Sequence, residues 1–501
     1  MSDRRIALLI FISLLLAYGY VFPRWLDWNA NARFDLSAAI VERGTLSIDA
    51  YAQNTGDYAL FAGKRYSDKA PGLSFLGVPV YFIVARLTQP QAVQDVIIAL
   101  GRSPAAALTL NRPVAQVSDQ ELIFAARLAM TTWLIVGAAS AWLGVMLFKF
   151  LGRLGYSTRW RAAAVLIYGL ATPALTYSTA FYGHQMAAVL LMSAFVWLHA
   201  LRARPARAVE WLLIGGLLGF AVITEFPAVL IAGIIGVYAI WTTRRRRALV
   251  LIALGGSVPI GLLGWYNAAI FGSPFHLGYQ YTASPFWSAI LSTGFLSASL
   301  PTGEAMWGLT FSPFRGLFFM SPILLLALPG LWLLRQSVFR AEWITSLAVI
   351  LSFFVLISAS AQWWGGWSAG PRYLVPMLPF LVWPLTETLA REAAPQRPAA
   401  WRVGAQLITL GLVVISIGNT LALSLAGQYY LPDDVANPLI EYAWPKLAAG
   451  DVARNWGMIV GLRGGLSLLP LAILIAGAVS ATWSACRFRP RWRRAYSRRQ
   501  S

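Results

Sequence analysis

Between residues 24 and 70 the chain sets six acids, Asp27, Asp35, Glu42, Asp49, Asp57 and Asp68, among six bases, Arg24, Arg33, Arg43, Lys64, Arg65 and Lys69. Elsewhere bases outnumber acids by more than two to one, so this balanced stretch stands apart. Carboxylates and cations placed so close suit the transfer of a sugar from a lipid phosphate. A carboxylate takes the acceptor's proton as the acceptor attacks the anomeric carbon. A Lys or Arg holds the phosphate as it departs. On that reading Asp35 or Asp68 is the base, with Arg33 and Lys69 as phosphate clamps. The plainer alternative is that these charges solvate an exposed loop and pair with one another.

Local sequence indicates how the stretch is built. Asn29 to Gly44 reads as a short amphipathic helix ended by Gly44. Leu36, Ala39 and Ile40 share one face, and Asn31 and Asp35, four apart, share another. Such a helix would lie along a membrane surface and present Asp35 beside the emerging first span. Tyr66-Ser-Asp-Lys-Ala-Pro-Gly72 then returns to the membrane with acid and base adjacent.

Further candidates lie outside this loop. His184, in Thr179-Ala-Phe-Tyr-Gly-His-Gln185, could touch a phosphate or an acceptor, or simply bond backbone at a helix start. Glu225, between two apolar runs, is costly if buried in a bilayer, which places it at a boundary or in a cavity wall. Asn31, Asp57, His184 and Glu225 are the candidates for a substrate pocket. Arg372 opens a helix, where a cation opposes the macrodipole, so an anion should compensate it. That anion is either a donor phosphate or an acid of the first loop. Trp363, Trp364 and Trp367 suit sugar stacking or an interfacial belt. His199 and His276 have no acidic neighbours in sequence and read as structural. Asp433-Asp434 leaves a divalent cation open, although two adjacent acids are a weak signature. No Walker-type loop is present to support ATP-driven chemistry.

The elements that must position these residues are membrane helices. The chain has 501 residues, 58% hydrophobic and 12% charged, against about 25% charged in soluble domains. Apolar runs near the spanning length of about 20 residues lie at 6–22, 71–88, 122–148, 162–181, 184–200, 210–224, 226–243, 248–270, 308–334, 341–362, 372–390, 403–428 and 466–485. The first is too long and too poor in a cleavage site for a signal peptide, so a retained helix is expected. One Cys excludes a disulfide framework and a thiolate metal site within one chain, and three His argue against a histidine-rich metal centre. The net charge of +20 sits in short basic patches, with seven Arg between 487 and 499. That is the positive-inside pattern of cytoplasmic loops, not a nucleic-acid surface. Both termini then read as cytoplasmic, which thirteen crossings forbid. Either 71–88 does not fully cross or part of 89–121 does, and 12 to 14 helices are expected. The divisions expected are a first helix over 1–23, an outer loop over 24–70, a helical body over 71–486 and a basic tail over 487–501. The body carries outer loops near 271–305 and 429–465.

Several stretches resemble a known family. Arg33-Phe34 after a first span, followed by Lys69-Ala-Pro-Gly-Leu73, looks like the polytopic glycosyltransferases of the GT-C superfamily, the lipid A aminoarabinose transferases and protein O-mannosyltransferases among them. Tyr182-Gly-His-Gln185, Phe271-Gly-Ser-Pro274, Ser312-Pro-Phe-Arg-Gly-Leu-Phe-Phe319 and Trp364-Gly-Gly-Trp-Ser-Ala-Gly-Pro-Arg-Tyr373 are similar to a poorly characterised bacterial branch. The resemblance implies an all-α polytopic GT-C bundle with a structured first periplasmic loop in a bacterial inner membrane. It further implies a polyprenyl-phosphate sugar donor and an Asp of the first loop as base, while Arg33, Lys69 and Arg372 stay the phosphate-binding candidates on their own chemistry. The acceptor, whether lipid, glycan or protein, stays open. The relatives carry an Asp-Glu pair where this chain has Ala30 and Asn31. The acid must therefore come from elsewhere, Asp35 first and Asp68 second, unless activity is lost. A flippase for a lipid-linked sugar and an inactive envelope scaffold are the competing readings. A transporter would need ionisable residues within its helices, and these runs are nearly free of them.

Overall fold

The computed structural model describes residues 2–24, 27–107, 116–243, 245–285, 288–289 and 300–487. The basic tail beyond residue 487 lies outside the described residues, as does most of the loop between 286 and 299. Among the described residues the one sheet is a hairpin of β1 (Tyr58–Phe61) and β2 (Lys64–Ser67), antiparallel with Tyr58 opposite Ser67. Most of the rest is helical.

In chain order the longer helices are α1 (Asp3–Tyr20), α2 (Trp28–Arg43), α3 (Gly72–Leu87), α4 (Gln91–Gly101) and α5 (Asp119–Arg153). Then come α6 (Thr158–Leu170), α7 (Gly183–Leu201), α8 (Ala208–Thr224), α9 (Ala228–Thr243) and α10 (Arg246–Phe271). The last are α11 (Pro322–Gln336), α12 (Arg340–Ser358), α13 (Arg372–Glu392), α14 (Ala399–Leu425) and α15 (Leu469–Arg487). Seven of the described helices are long and apolar enough to cross a membrane alone. Three shorter apolar helices, α8, α9 and α11, join them. The chain is an all-helical, multi-pass membrane protein, with fewer self-sufficient spans than the 12 to 14 expected. Prolines account for part of the difference, because a proline lacks the N–H that continues a helix. The run 162–181 ends at Leu170 and restarts as a single short turn after Pro173. The run 308–334 breaks around Pro313 before α11 begins.

The bundle closes through small residues. A Cβ on Gly215 of α8 would run into the Ile252 carbonyl oxygen of α10, and one on Gly255 of α10 into that of Leu212. Such close approach raises dispersion between helices in lipid, where burial from water gives no help.

The unusual pair is α2 and α3. The Ser37 hydroxyl donates to the Ser74 carbonyl at 2.8 Å, and the Tyr81 hydroxyl to Glu42 at 2.5 Å. The second half of α2 therefore runs beside α3. Beyond α3 the chain turns by 98° into α4. Arg127 of α5 meets Glu42 at 2.8 Å and Thr88 at 2.8 Å, fixing the far ends of both. The expectation of a surface-lying α2 with an open polar face is corrected here. Asn29 through Ala39 are all buried, because α3, the hairpin and the helix ends of the bundle cover every side.

Candidate functional site

The site forms where α2 begins. Asp27 caps the helix, its Oδ1 accepting from the N–H groups of Asn29 at 3.1 Å and Ala30 at 3.3 Å. Those amides lack partners within the helix, so the carboxylate satisfies them. The same oxygen accepts from the Tyr182 hydroxyl at 3.1 Å. Oδ2 carries no hydrogen bond among the described residues, and Asp27 is only half-buried. Burial pushes its pKa up to about 6, against the pull of the Ala30 amide, Tyr182 and Arg372.

One and a half turns on, Arg33 is 1% exposed. Its Nη2 lies 2.7 Å from Glu225 Oε1, in the turn between α8 and α9. Its Nη1 donates to the Ala70 carbonyl at 2.9 Å, and its Nε to Asn29 Oδ1 at 3.3 Å. Arg33 thus ties α2 to the start of α3 and to the bundle, its charge matched within the fold. His184, at the start of α7, stands with Nδ1 3.5 Å from the same Glu225 oxygen. Its Nε2 is buried and has no partner.

Lys69 closes another side. Its Nζ sits 2.9 Å from Asp57 and 3.2 Å from Asp68. These two carboxylates raise its pKa against the opposing effect of burial. Asp68 is 3% exposed, and burial raises its pKa while Lys69 pulls it down. Asp57 is half-buried, so the Lys69 pair reaches solvent at that carboxylate.

Arg372, where α13 begins, differs from both. It is 8% exposed, and no carboxylate among the described residues lies within ion-pair distance. Its guanidinium lies 5.5 Å from the Tyr182 ring centre and 5.1 Å from that of Tyr373. Nη2 reaches the Tyr373 hydroxyl at 3.4 Å, and Nε has no partner. Cation–π contact stabilises a desolvated cation by about 2 kcal/mol, less than the several kcal/mol per ion that burial costs. The loop before α13 holds it down. Gly365, with φ of 77°, leaves room that a Cβ would not, since that Cβ would fall 2.9 Å from Arg372 Nε. Arg315 secures that loop through the carbonyls of Gly366 at 3.0 Å and Pro432 at 3.1 Å.

Of the residues singled out from sequence, Arg33, Lys69, Arg372, Asp57, Asp68, His184 and Glu225 come together here. Asp35 and Asn31 do not. They face the other side of α2, where Asn31 donates to the Asn54 carbonyl at 2.8 Å and Asn54 donates to Asp35 at 3.2 Å. Asp35 is fully enclosed, and burial holds its pKa well above the usual carboxylate range. Two participants were missed. Asp27 could have been found as a helix cap, had the helix been started one residue earlier. Tyr182 has no sequence signal beyond its place in Tyr182-Gly-His-Gln185. His199, which has no acidic neighbour in sequence, has one in space: its Nδ1 lies 2.8 Å from Glu342 of α12. Asp433 accepts from Trp364 Nε1 at 3.4 Å, and no group of three or more His, Cys, Asp or Glu among the described residues could hold a metal.

No family model matches the chain, and no curated protein matches it. Similar solved structures include the archaeal oligosaccharyltransferase AglB from Archaeoglobus fulgidus in complex with an inhibitory peptide and a dolichol-phosphate. It is 10% identical over 84% of this chain and 56% of that one, with a TM-score of 0.44. This chain therefore spans little more than half of that protein. ArnT from Cupriavidus metallidurans bound to undecaprenyl phosphate is 15% identical over 97% of this chain and 74% of that one, with a TM-score of 0.45. Likeness at this level says nothing of activity, which is argued from the site itself.

Proposed function

We propose that the chain is a membrane glycosyltransferase that takes its sugar from a polyprenyl-phosphate donor on the side where α2 and α3 lie. Arg372 carries the proposal. A cation this buried, with aromatic rings around it and no carboxylate in reach, is stabilised by an anionic ligand. Arg33 and Lys69 are already neutralised, by Glu225 and by Asp57 with Asp68. They set the positive field without competing for that ligand. The donor phosphate sits on Arg372, with the unpartnered Nε2 of His184 near by.

Asp27 is the base in this reading. Its free Oδ2 takes the acceptor's proton as the acceptor oxygen bonds to the anomeric carbon. The bond from that carbon to the phosphate oxygen breaks, and the electron pair leaves on the phosphate, where Arg372 stabilises it. Asp68, engaged with Lys69, and Asp35, enclosed on the far face, are placed less well for this step. The carrier's hydrocarbon would lie in the membrane and the acceptor would approach from the half-buried side at Asp27 and Asp57. We place this face outside a bacterial inner membrane, because the basic patches gather at the opposite ends of the helices.

The test is sugar transfer by purified protein from radiolabelled polyprenyl-phosphate sugars to a host lipid extract, with and without Mg2+. Release of polyprenyl phosphate that Arg372→Gln reduces by roughly a hundredfold or more supports the reading. Donor binding unchanged in Arg372→Gln, or no turnover with any donor, would turn the assignment toward a carrier or scaffold.

A further inference from the structure

Two loops beside the Arg372 site carry aromatic rings that the transfer step does not use. Residues 359–371 lead into α13, and residues 427–445 follow α14. Arg315, 1% exposed, clamps the two together. Its Nη2 donates to the Gly366 carbonyl of the first at 3.0 Å, and to the Leu431 and Pro432 carbonyls of the second at 3.4 and 3.1 Å. The Ser368 N–H adds a bond to the Leu431 carbonyl at 3.1 Å. On this frame Trp367 and Tyr429 stand at right angles with ring centres 6.3 Å apart. They are 52% and 37% exposed. Trp364 Nε1 donates across the same two loops to Asp433 Oδ2 at 3.4 Å. Asp433 and Asp434 are both exposed. We propose that this corner of rings and acids binds a sugar ring of the acceptor, which makes the acceptor a glycan or a glycolipid. The proposal rests on the reading that Asp27 and Arg372 transfer a sugar.

A sugar ring presents C–H bonds on its faces and hydroxyls around its rim. The negative face of an aromatic ring attracts the first, and a carboxylate accepts hydrogen bonds from the second. Lipid headgroups are the other occupant to weigh, because exposed Trp and Tyr also gather at bilayer interfaces. Charge decides between them. Residues 359–371 and 427–445 hold Asp433, Asp434 and Glu441 and not one Lys or Arg, in a chain whose net charge is +20. A headgroup phosphate would be repelled there, whereas hydroxyls would find acceptors. Position points to the acceptor's sugar. Tyr430, next to Tyr429, sets its ring 5.8 Å from that of Tyr182, whose hydroxyl donates to Asp27 at 3.1 Å. The platform therefore adjoins the residue that takes the acceptor's proton. Because Arg315 fixes both loops before any ligand arrives, little ordering is left for binding to oppose.

Saturation-transfer NMR on the full chain in lipid nanodiscs reads weak binding of free sugars, with N,N′-diacetylchitobiose and maltose as the probes. The expected result is transfer to the ring protons of one of them, with affinity that Trp367→Ala weakens by roughly fivefold or more. Asp433→Asn should weaken it too, and Trp367→Phe should recover part of the loss, which separates a missing ring from a misfolded loop. Trp444→Ala removes another exposed Trp of the outer segment and should change nothing. A saturating polyprenyl-phosphate sugar should leave the disaccharide bound, since the donor's sugar lies elsewhere. Arg372→Gln, which would end the proposed transfer, should keep the signal, so failure of that activity and failure of this site are separate results. A native melting temperature is required of every variant. No signal from either sugar, equal losses in Trp367→Ala and Trp444→Ala, or displacement by the donor would overturn the proposal.

Discussion

Asp27 caps α2 and Asp35 sits two turns along it, and their surroundings differ in kind. Asp35 meets only Asn54, and burial favours its neutral form. An amide has nearly the shape of a neutral carboxyl, so Asp35→Asn should change stability by less than about 1 kcal/mol and leave turnover intact. Asp27→Asn keeps an oxygen to cap the helix but loses the base, and should lower turnover by about 10²–10⁴, measured under single-turnover conditions. The pH dependence carries a definite sign. Asp27 titrates at about 6 in the fold, above its ordinary 3.8, so the native state binds more protons than the unfolded chain between those values. Its contribution to stability is therefore full below pH 4 and is lost as pH rises through 6. Catalysis runs the other way, since the base works ionised, so the rate should climb through pH 6 and level off above it. A rate flat from pH 5 to 8 would remove Asp27 from the role. Residue types showed that the 24–70 stretch holds chemistry. They did not show which side of α2 meets the bundle, because that depends on helix ends hundreds of residues away.

At the scale of elements, the site is a junction of ends. The start of α2, the start of α7, the turn from α8 to α9 and the start of α13 each bring one or two polar side chains. Arg33 and Glu225 join two of these elements with both partners almost fully buried. Removing one partner of such a pair leaves an unmatched buried charge, so Glu225→Ala should cost about 3–5 kcal/mol in the denaturation of detergent-solubilised protein. Replacing both, as Arg33→Met with Glu225→Met, should recover much of that loss. A double-variant loss equal to the sum of the two single losses would show that the pair does not couple the elements. The sequence marked α2 well, from the cap region to Gly44, because local preferences fix such a helix. It also marked most apolar runs. It misjudged the runs at 162–181 and 308–334, since hydropathy does not weigh what a proline does to the backbone within an apolar stretch.

For the whole molecule, composition alone was enough to assign a multi-pass helical membrane protein, because that much apolar surface has nowhere else to go. What it left open was parity, and α3 addresses it. This helix keeps pace with α2 from Ser37–Ser74 to Glu42–Tyr81, then turns away into α4. A helix tied along its length to one lying outside the spans does not itself need to cross. We propose that α3 does not cross; taking it out of the thirteen crossings expected from sequence leaves the even number that the basic residues at both termini call for. On this topology Asp434 lies on the face of the Arg372 site and Arg397 on the opposite face, and both are exposed. The native thiol, Cys486, is buried and can be replaced as Cys486→Ser to give a silent background. In intact cells an impermeant maleimide should label Asp434→Cys at once and Arg397→Cys only after the membrane is opened. Labelling in the reverse order would place the Arg372 site in the cytoplasm, where a soluble nucleotide-linked donor would become the better reading of its anion.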